Sequence, residues 1–369
     1  MSKMDIPVVE AHVVNDSSAP IASAPAIGSQ SSSSQALPEV LNEGGAREFL
    51  YHQGFPSGLQ DAFLSALKQI PIRFFNIDDS GSMSQTDGKR IVSSTSSKKK
   101  ALLSCSRWAE LTDAMKFHVK FAREASAPSE FRLLNGAAPI SIGYSDENEA
   151  NRYASLMGIL EGSPNGGTPL CHHIREVTAK IEAMAPELRR LGKKACLIIA
   201  TDGQSSDGDI AAAMAPLKNL PVWVVVRLCT DEDNVVNYWN GVDEHLELNM
   251  DVLDDLVGEA QEVYEKNKWL TYGEQLQRLR EFGCCLKELD LLDETKLSPD
   301  QVRHVCCVLY GGKLDDYPHP ELDFKDFVAA VELRNRDVGK VWDPITQKDK
   351  YWIEKKDLIA AYGKGCIIS

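Results

Sequence analysis

The sequence predicts an α/β protein: a doubly wound, mainly parallel sheet flanked by helices, followed by a small, mainly helical C-terminal module. Three observations carry this. The runs Ala195 to Ala200 and Pro221 to Val226 are apolar throughout, as strands covered on both faces must be. An earlier run, Ile72-Arg-Phe-Phe-Asn-Ile77, reads as a strand before them, and stretches of helical periodicity separate all three. Strand and helix alternating in this way build a parallel sheet with helices above and below.

Taken in order, residues 1–45 are rich in Ser, Ala and Pro and include the run Ser31 to Ser34. Such a segment buries too little apolar surface to offset the entropy of ordering, so a disordered tail is expected. The α/β domain is expected over 46–267. Leu59, Phe63, Leu67 and Ile70 recur at helical spacing until Pro71 closes the helix. After the strand ending at Ile77, Trp108, Leu111, Met115, Val119 and Ala122 mark a second helical face. Phe131 to Leu134 and Ile140 to Tyr144 read as short strands. A helix then turns Tyr153, Leu156 or Met157, and Leu160 inward, and another after Thr168 buries Leu170, Ile174, Val177, Ile181 and Met184. An insert over 83–104, basic and Ser-rich, is expected as a solvated loop.

The module is expected over 268–365. Tyr272, Leu276, Leu279 and Phe282 form one helical face, and Phe324, Phe327, Val328 and Val331 another. Between them Ser298 is an N-cap with Pro299 at the first helical position. A strand is expected only near Lys350 to Ile353.

Composition narrows the function. The formal net charge is −14, which excludes a general nucleic-acid binder, because that affinity rests on neutralising phosphates. No apolar stretch approaches the roughly 18 residues of a membrane span, and the first residues do not read as a signal peptide. Nine cysteines without a C-x-x-C spacing suggest neither a disulfide framework nor a zinc ribbon, so a reducing, cytoplasmic setting is expected.

Three loops carry the chemistry. Asp78-Asp79-Ser80-Gly81-Ser82 follows the first strand, Gly166-Gly167-Thr168-Pro169 opens a helix, and Thr201-Asp202-Gly203 follows the strand from Ala195. Two carboxylates and three hydroxyls make a hard oxygen set suited to Mg²⁺, with Mn²⁺ or Ca²⁺ as alternatives. Each piece also has a plain structural reading: Thr168 as an N-cap and Asp202-Gly203 as a turn.

Together, D-x-S-x-S, Gly-Gly-Thr-Pro and Thr-Asp-Gly resemble the metal-ion-dependent adhesion site of the von Willebrand factor A family, a Rossmann-like domain. The resemblance spans about residues 46 to 266. It implies hydroxyl ligands from Ser80, Ser82 and Thr168, with Asp78 and Asp202 binding the ion directly or through water. It also implies an open position for a Glu or Asp of a protein partner. The expected function is therefore protein binding and not catalysis. The alternatives are a Mg²⁺-dependent hydrolase or phosphotransferase, or a scaffold with a purely structural metal. The basic insert is longer than the resemblance leads one to expect. It would border the ion and help select acidic partners.

Two further motifs were weighed. Cys171-His172-His173 places three ligand types on consecutive helical residues, which point apart, so core or surface positions are expected. The ending Cys366-Ile367-Ile368-Ser369 resembles a C-a-a-X prenylation signal. It implies a farnesyl group on Cys366 and reversible membrane association.

Overall fold

The computed structural model describes residues 37–38, 41–93, 99–230, 232–246 and 248–363. The expected tail over 1–45 lies largely outside these residues, as do the Cys366 motif and part of the Ser-rich cluster. Order begins earlier than expected. Helix α1 (Glu43–His52) is capped by Asn42, whose Oδ1 accepts from the Gly45 N–H at 3.0 Å. A capping Asn outweighs the polar composition of the first turn.

Helix α2 (Ser57–Gln69) leads into β1 (Arg73–Ile77). A strand pair, β2 (Gly88–Ser93) and β3 (Lys100–Cys105), precedes α3 (Arg107–Glu124). Strands β4 (Ser129–Leu133) and β5 (Ile140–Ile142) lead to α4 (Glu149–Ile159) and α5 (Leu170–Arg190). Then follow β6 (Ala195–Thr201), α6 (Ile210–Met214), β7 (Val222–Leu228), α7 (Asp233–Leu246) and β8 (Met250–Leu253). Helices α8 (Leu256–Lys266), α9 (Glu274–Glu281), α10 (Lys287–Glu294), α11 (Pro299–Tyr310) and α12 (Phe324–Val338) come next. A hairpin of β9 (Lys340–Asp343) and β10 (Lys348–Tyr351) and the helix α13 (Lys355–Tyr362) complete the chain.

The central sheet has six strands in the order β5-β4-β1-β6-β7-β8, parallel except for the antiparallel edge pair β4–β5. The mainly parallel, doubly wound sheet is therefore present, in a Rossmann-like order. The apolar runs of β6 and β7 are buried at every position, as two-sided cover requires. Phe75 and Ile77 point into one core with α2 and α3, while Phe74 points into the other with α5 and α7.

The segment from residue 268 is built into the first of these cores. Phe282, just after α9, packs its ring edge-to-face with Phe121 at 5.0 Å and tilted against Phe75 at 6.0 Å. Every residue of α9 from Gln275 to Glu281 is buried, although five of the seven are charged or amide-bearing. The charges are paired across elements. Glu281 lies 3.0 Å from His118 Nε2 and 2.9 Å from Arg278, and Arg227 of β7 joins it to Glu110 of α3. Burial opposes ionisation of Glu281, but Arg278 and His118 outweigh it and hold its carboxyl well below the usual range. A buried network this dense docks α9 in one register, because each partner removed would leave an uncompensated charge.

The insert over 83–104 differs from the expected loop. Its flanks pair as antiparallel β2 and β3, from Gly88↔Cys105 to Ser93↔Lys100. The reason is a period-two pattern: Lys89, Ile91, Lys100 and Leu102 lie on one half-buried face, and Arg90, Val92, Ala101 and Leu103 on an exposed one. Among the described residues no helix is long and apolar enough to cross a membrane.

A candidate metal centre at the switch point of the sheet

Strand order reverses between β1 and β6: the chain moves from β1 outward to β4 and returns to lay β6 on its other side. The loops leaving these two strands diverge, and the crevice between them is where open α/β sheets bind ligands. Asp78 follows β1 and Asp202 follows β6, so both candidate carboxylates stand at that crevice.

The oxygen atoms form a continuous chain. Asp78 Oδ1 accepts from the Ser80 N–H at 2.9 Å, and Oδ2 accepts from the Thr201 hydroxyl at 2.7 Å. Ser80 Oγ lies 2.9 Å from Ser82 Oγ, and the Ser82 hydroxyl donates to Asp202 Oδ1, also at 2.9 Å. Asp78, Ser80 and Asp202 are buried, whereas Ser82 is exposed and Thr168 half-buried. The cluster is closed beneath and open on one side.

The third loop is stitched to the other two through its backbone. Gly81 N–H donates to Gly166 O at 3.1 Å, Asn165 N–H to Asp79 O at 2.7 Å, and Ser206 N–H to Thr168 O at 2.8 Å. Asn135 clamps the junction, donating 2.9 Å bonds to Asp79 Oδ1 and Gly167 O. Gly166 must be glycine there: its φ is +100°, and a Cβ would stand 2.3 Å from the Asn135 side chain. The Thr168 hydroxyl takes no hydrogen-bond partner among the described residues, so the structure brings it to the rim of the cluster without binding it there. The sequence predicts Thr168 as the N-cap of α5 with Pro169 at the first helical position, but the helix starts one residue later: Pro169 is the N-cap and no side chain caps the helix.

Two roles in the site escape the sequence reading. Thr201 orients Asp78. Arg107, at the start of α3, is 2% exposed and its Nη1 donates to Asp202 Oδ2 at 3.1 Å. The same guanidinium binds Asp87 at 2.8 and 2.5 Å and Glu232 at 2.6 Å. Burial disfavours the Arg107 charge, but its bonds to Asp87, Glu232 and Asp202 outweigh that and hold the proton. Its counterpart Asp87 is pushed below the usual carboxylate range by that bond. A single Arg in a helical first turn has no sequence signature; only the tertiary structure aims it.

The residues present fit a hard divalent cation on two counts. First, Asp87, Asp202 and Glu232 share the Arg107 guanidinium, which does not reach Asp78. Burial therefore pushes the Asp78 carboxyl above its usual range, with the Asp202 charge adding to the shift against its hydrogen bonds. A cation would relieve that strain. Second, adjacent oxygens around octahedral Mg²⁺ lie about 2.9 Å apart for Mg–O bonds of about 2.1 Å, the spacing of Ser80, Ser82 and Asp202 here.

The other ligand-type residues separate. Cys171 is buried, His172 is exposed, and His173 binds Leu134 O at 3.0 Å. The N–H groups of Cys171 and His172, the second and third residues of α5, donate to Asp207. Among the described residues one further acidic group has metal-like spacing, Glu259, Glu262 and Asp293. There Arg280 already binds Glu259 and Asp293, so a side-chain cation occupies it. No protein-family model matches the sequence, and no curated protein matches it either.

Proposed function

We infer that the chain is an interaction protein of von Willebrand factor A type, which holds Mg²⁺ through Ser80, Ser82, Thr168, Asp78 and Asp202. The observation that carries this is the buried Asp78–Asp202 pair at the switch point, linked by hydroxyls and open on the Ser82 side. When bound, the ion supplies Lewis acidity and an exchangeable coordination position that a partner's carboxylate can take. The protein's own part is orientation. Thr201 and the Ser80 N–H hold Asp78, Arg107 holds the far oxygen of Asp202, and Asn135 fixes the second loop.

The test is calorimetric titration of the full chain with Mg²⁺, beside a variant carrying Asp78→Ala and Ser80→Ala. Binding by the wild type and none by the variant is expected; silence from both would end the metal reading. Thermal unfolding with and without EDTA separates the scaffold alternative, in which the ion would raise stability substantially. Turnover of a phosphate ester in Mg²⁺, lost in the same variant, would instead favour the hydrolase.

A further inference from the structure

The strand pair β2–β3 departs from what a surface hairpin needs. One face rests on the body: the Lys89 N–H donates to Glu110 Oε2 at 2.8 Å, and the Leu102 N–H meets Gln347 Oε1. On a hairpin covered on one side, the other face is ordinarily polar. Here it carries Val92 and Leu103, 36% and 49% exposed, diagonal neighbours across the register beside Arg90 and Ala101. Apolar side chains grouped on an outward face mark an interaction surface more often than isolated ones do.

Charge states what that surface fits. From residue 88 to 105 the chain has five basic residues, Lys89, Arg90, Lys98, Lys99 and Lys100, and no acidic one, against a net charge of −14 for the whole. On the outer face stands Arg90, with the exposed Lys99 beside it, whereas Lys89 is turned to the body, 3.5 Å from Asp255. A local cationic face on an acidic protein attracts anionic segments and repels the same face of a second copy. Beside the exposed face, Arg90 also borders a hollow of about 240 Å³ floored by Trp108 and Leu160.

The hairpin is anchored to the candidate metal loops with little slack. Asp87, the residue before β2, and Asp202 share the Arg107 guanidinium. At the base, Gly88 packs so close that a Cβ would lie 2.7 Å from Ser106 O. A segment lying along the outer face therefore runs toward Ser82 and Asp202.

We propose that the outer face of β2–β3 is the second contact surface for the partner, and that it receives an extended segment of alternating acidic and aliphatic residues. Its aliphatic side chains cover Val92 and Leu103, its carboxylates meet Arg90, and its leading carboxylate lies toward the ion. Only that last point rests on the metal reading of the site; the hairpin surface does not.

The experiment is fluorescence anisotropy on the full chain with a labelled peptide Gly-Glu-Val-Glu-Val-Glu-Gly and its Gln-for-Glu counterpart, in Mg²⁺ and in EDTA. The variants are Val92→Thr with Leu103→Thr, and Arg90→Glu. All three positions are exposed and the replacements other than Glu favour strands, so circular dichroism should be unchanged. Each variant is expected to weaken the acidic peptide about tenfold, and the Gln peptide should bind the wild type about as weakly. Equal affinity of wild type and both variants, or no binding by the wild type, overturns the proposal. So does sedimentation showing a wild-type dimer that the Thr variant loses, since the face would then cover itself. Binding that depends on the hairpin but not on Mg²⁺ keeps this proposal and overturns the metal reading; the reverse pattern overturns this proposal alone.

Discussion

Two acidic clusters in this molecule are each built around one buried arginine, and they end in different states. Arg280 binds Asp251 at 3.0 Å, Asp293 at 3.1 Å, and Glu259, between β8, α8 and α10. Arg107 binds Asp202, Asp87 and Glu232 at the end of the sheet. At Arg280 the charge is settled internally. Burial pushes the Glu259 carboxyl far above its usual range, against the pull of Arg280 and toward the neutral form, and Asp251 moves the same way. At Arg107 two partners, Asp87 and Glu232, reach solvent, and the fourth carboxylate, Asp78, has only neutral donors. A closed cluster completes itself with protons and packing. An open one at a strand-end crevice leaves a charge for something else to complete. Similar composition thus yields a structural core in one place and a candidate binding site in the other.

The comparison breaks most readily at Arg280. Arg280→Met should cost about 3–5 kcal/mol, read from the midpoint of guanidinium unfolding, because three buried acids lose their cation. A loss below about 1 kcal/mol would mean that protonation alone holds the cluster. Next in size is Asp78→Ala, expected to lower Mg²⁺ affinity by more than about 100-fold in calorimetry, beyond the effect of outer-shell changes. Its stability in EDTA should not fall, since the substitution removes a carboxyl that burial disfavours.

Arg107→Met sharpens the contrast. It should cost only about 1–2 kcal/mol in EDTA, less than Arg280→Met, because Asp87 and Glu232 can resolvate. Saturating Mg²⁺ should raise the melting temperature more in this variant than in the wild type, the ion taking over the charge at Asp202. Equal shifts would show that Arg107 and the ion do not share that carboxylate.

The smallest effect lies beside the Arg280 cluster, where burial and Asp251 raise Asp290 to about 7. A carboxyl raised in the folded state contributes stability that is present below its unfolded pKa and is lost as pH rises through the folded value. Asp290→Asn should therefore gain about 1 kcal/mol over the wild type at pH 8, after allowance for solvent screening, and little at pH 4. A pH-independent difference between the two proteins would show that Asp290 titrates normally.

Periodicity and strand-end motifs made the sheet and much of the site legible. Ile77, Ala200 and Thr201 mark strand ends where the sequence places them, and the serine, glycine and aspartate loops at those ends meet. The β2–β3 pair was not legible, because Ser-rich composition masked a short period-two pattern of Lys89, Ile91, Lys100 and Leu102. Nor was the burial of α9, whose mean composition argues for solvent until Glu281, His118 and Arg227 are seen to neutralise one another.

The sequence by itself determined the alternation of β1, β4, β6 and β7 with the helices α3 and α5 and the oxygen-only chemistry of the three loops. These depend on residues near one another in the chain, where spacing carries the physics. Only the tertiary structure decided which carboxylates receive a cation. Arg107 and Asp202 lie 95 positions apart, Arg280 and Asp251 29. Such pairings depend on the packing of whole elements, so the difference between a closed acidic cluster and an open one appears only when the sheet and its helices are assembled.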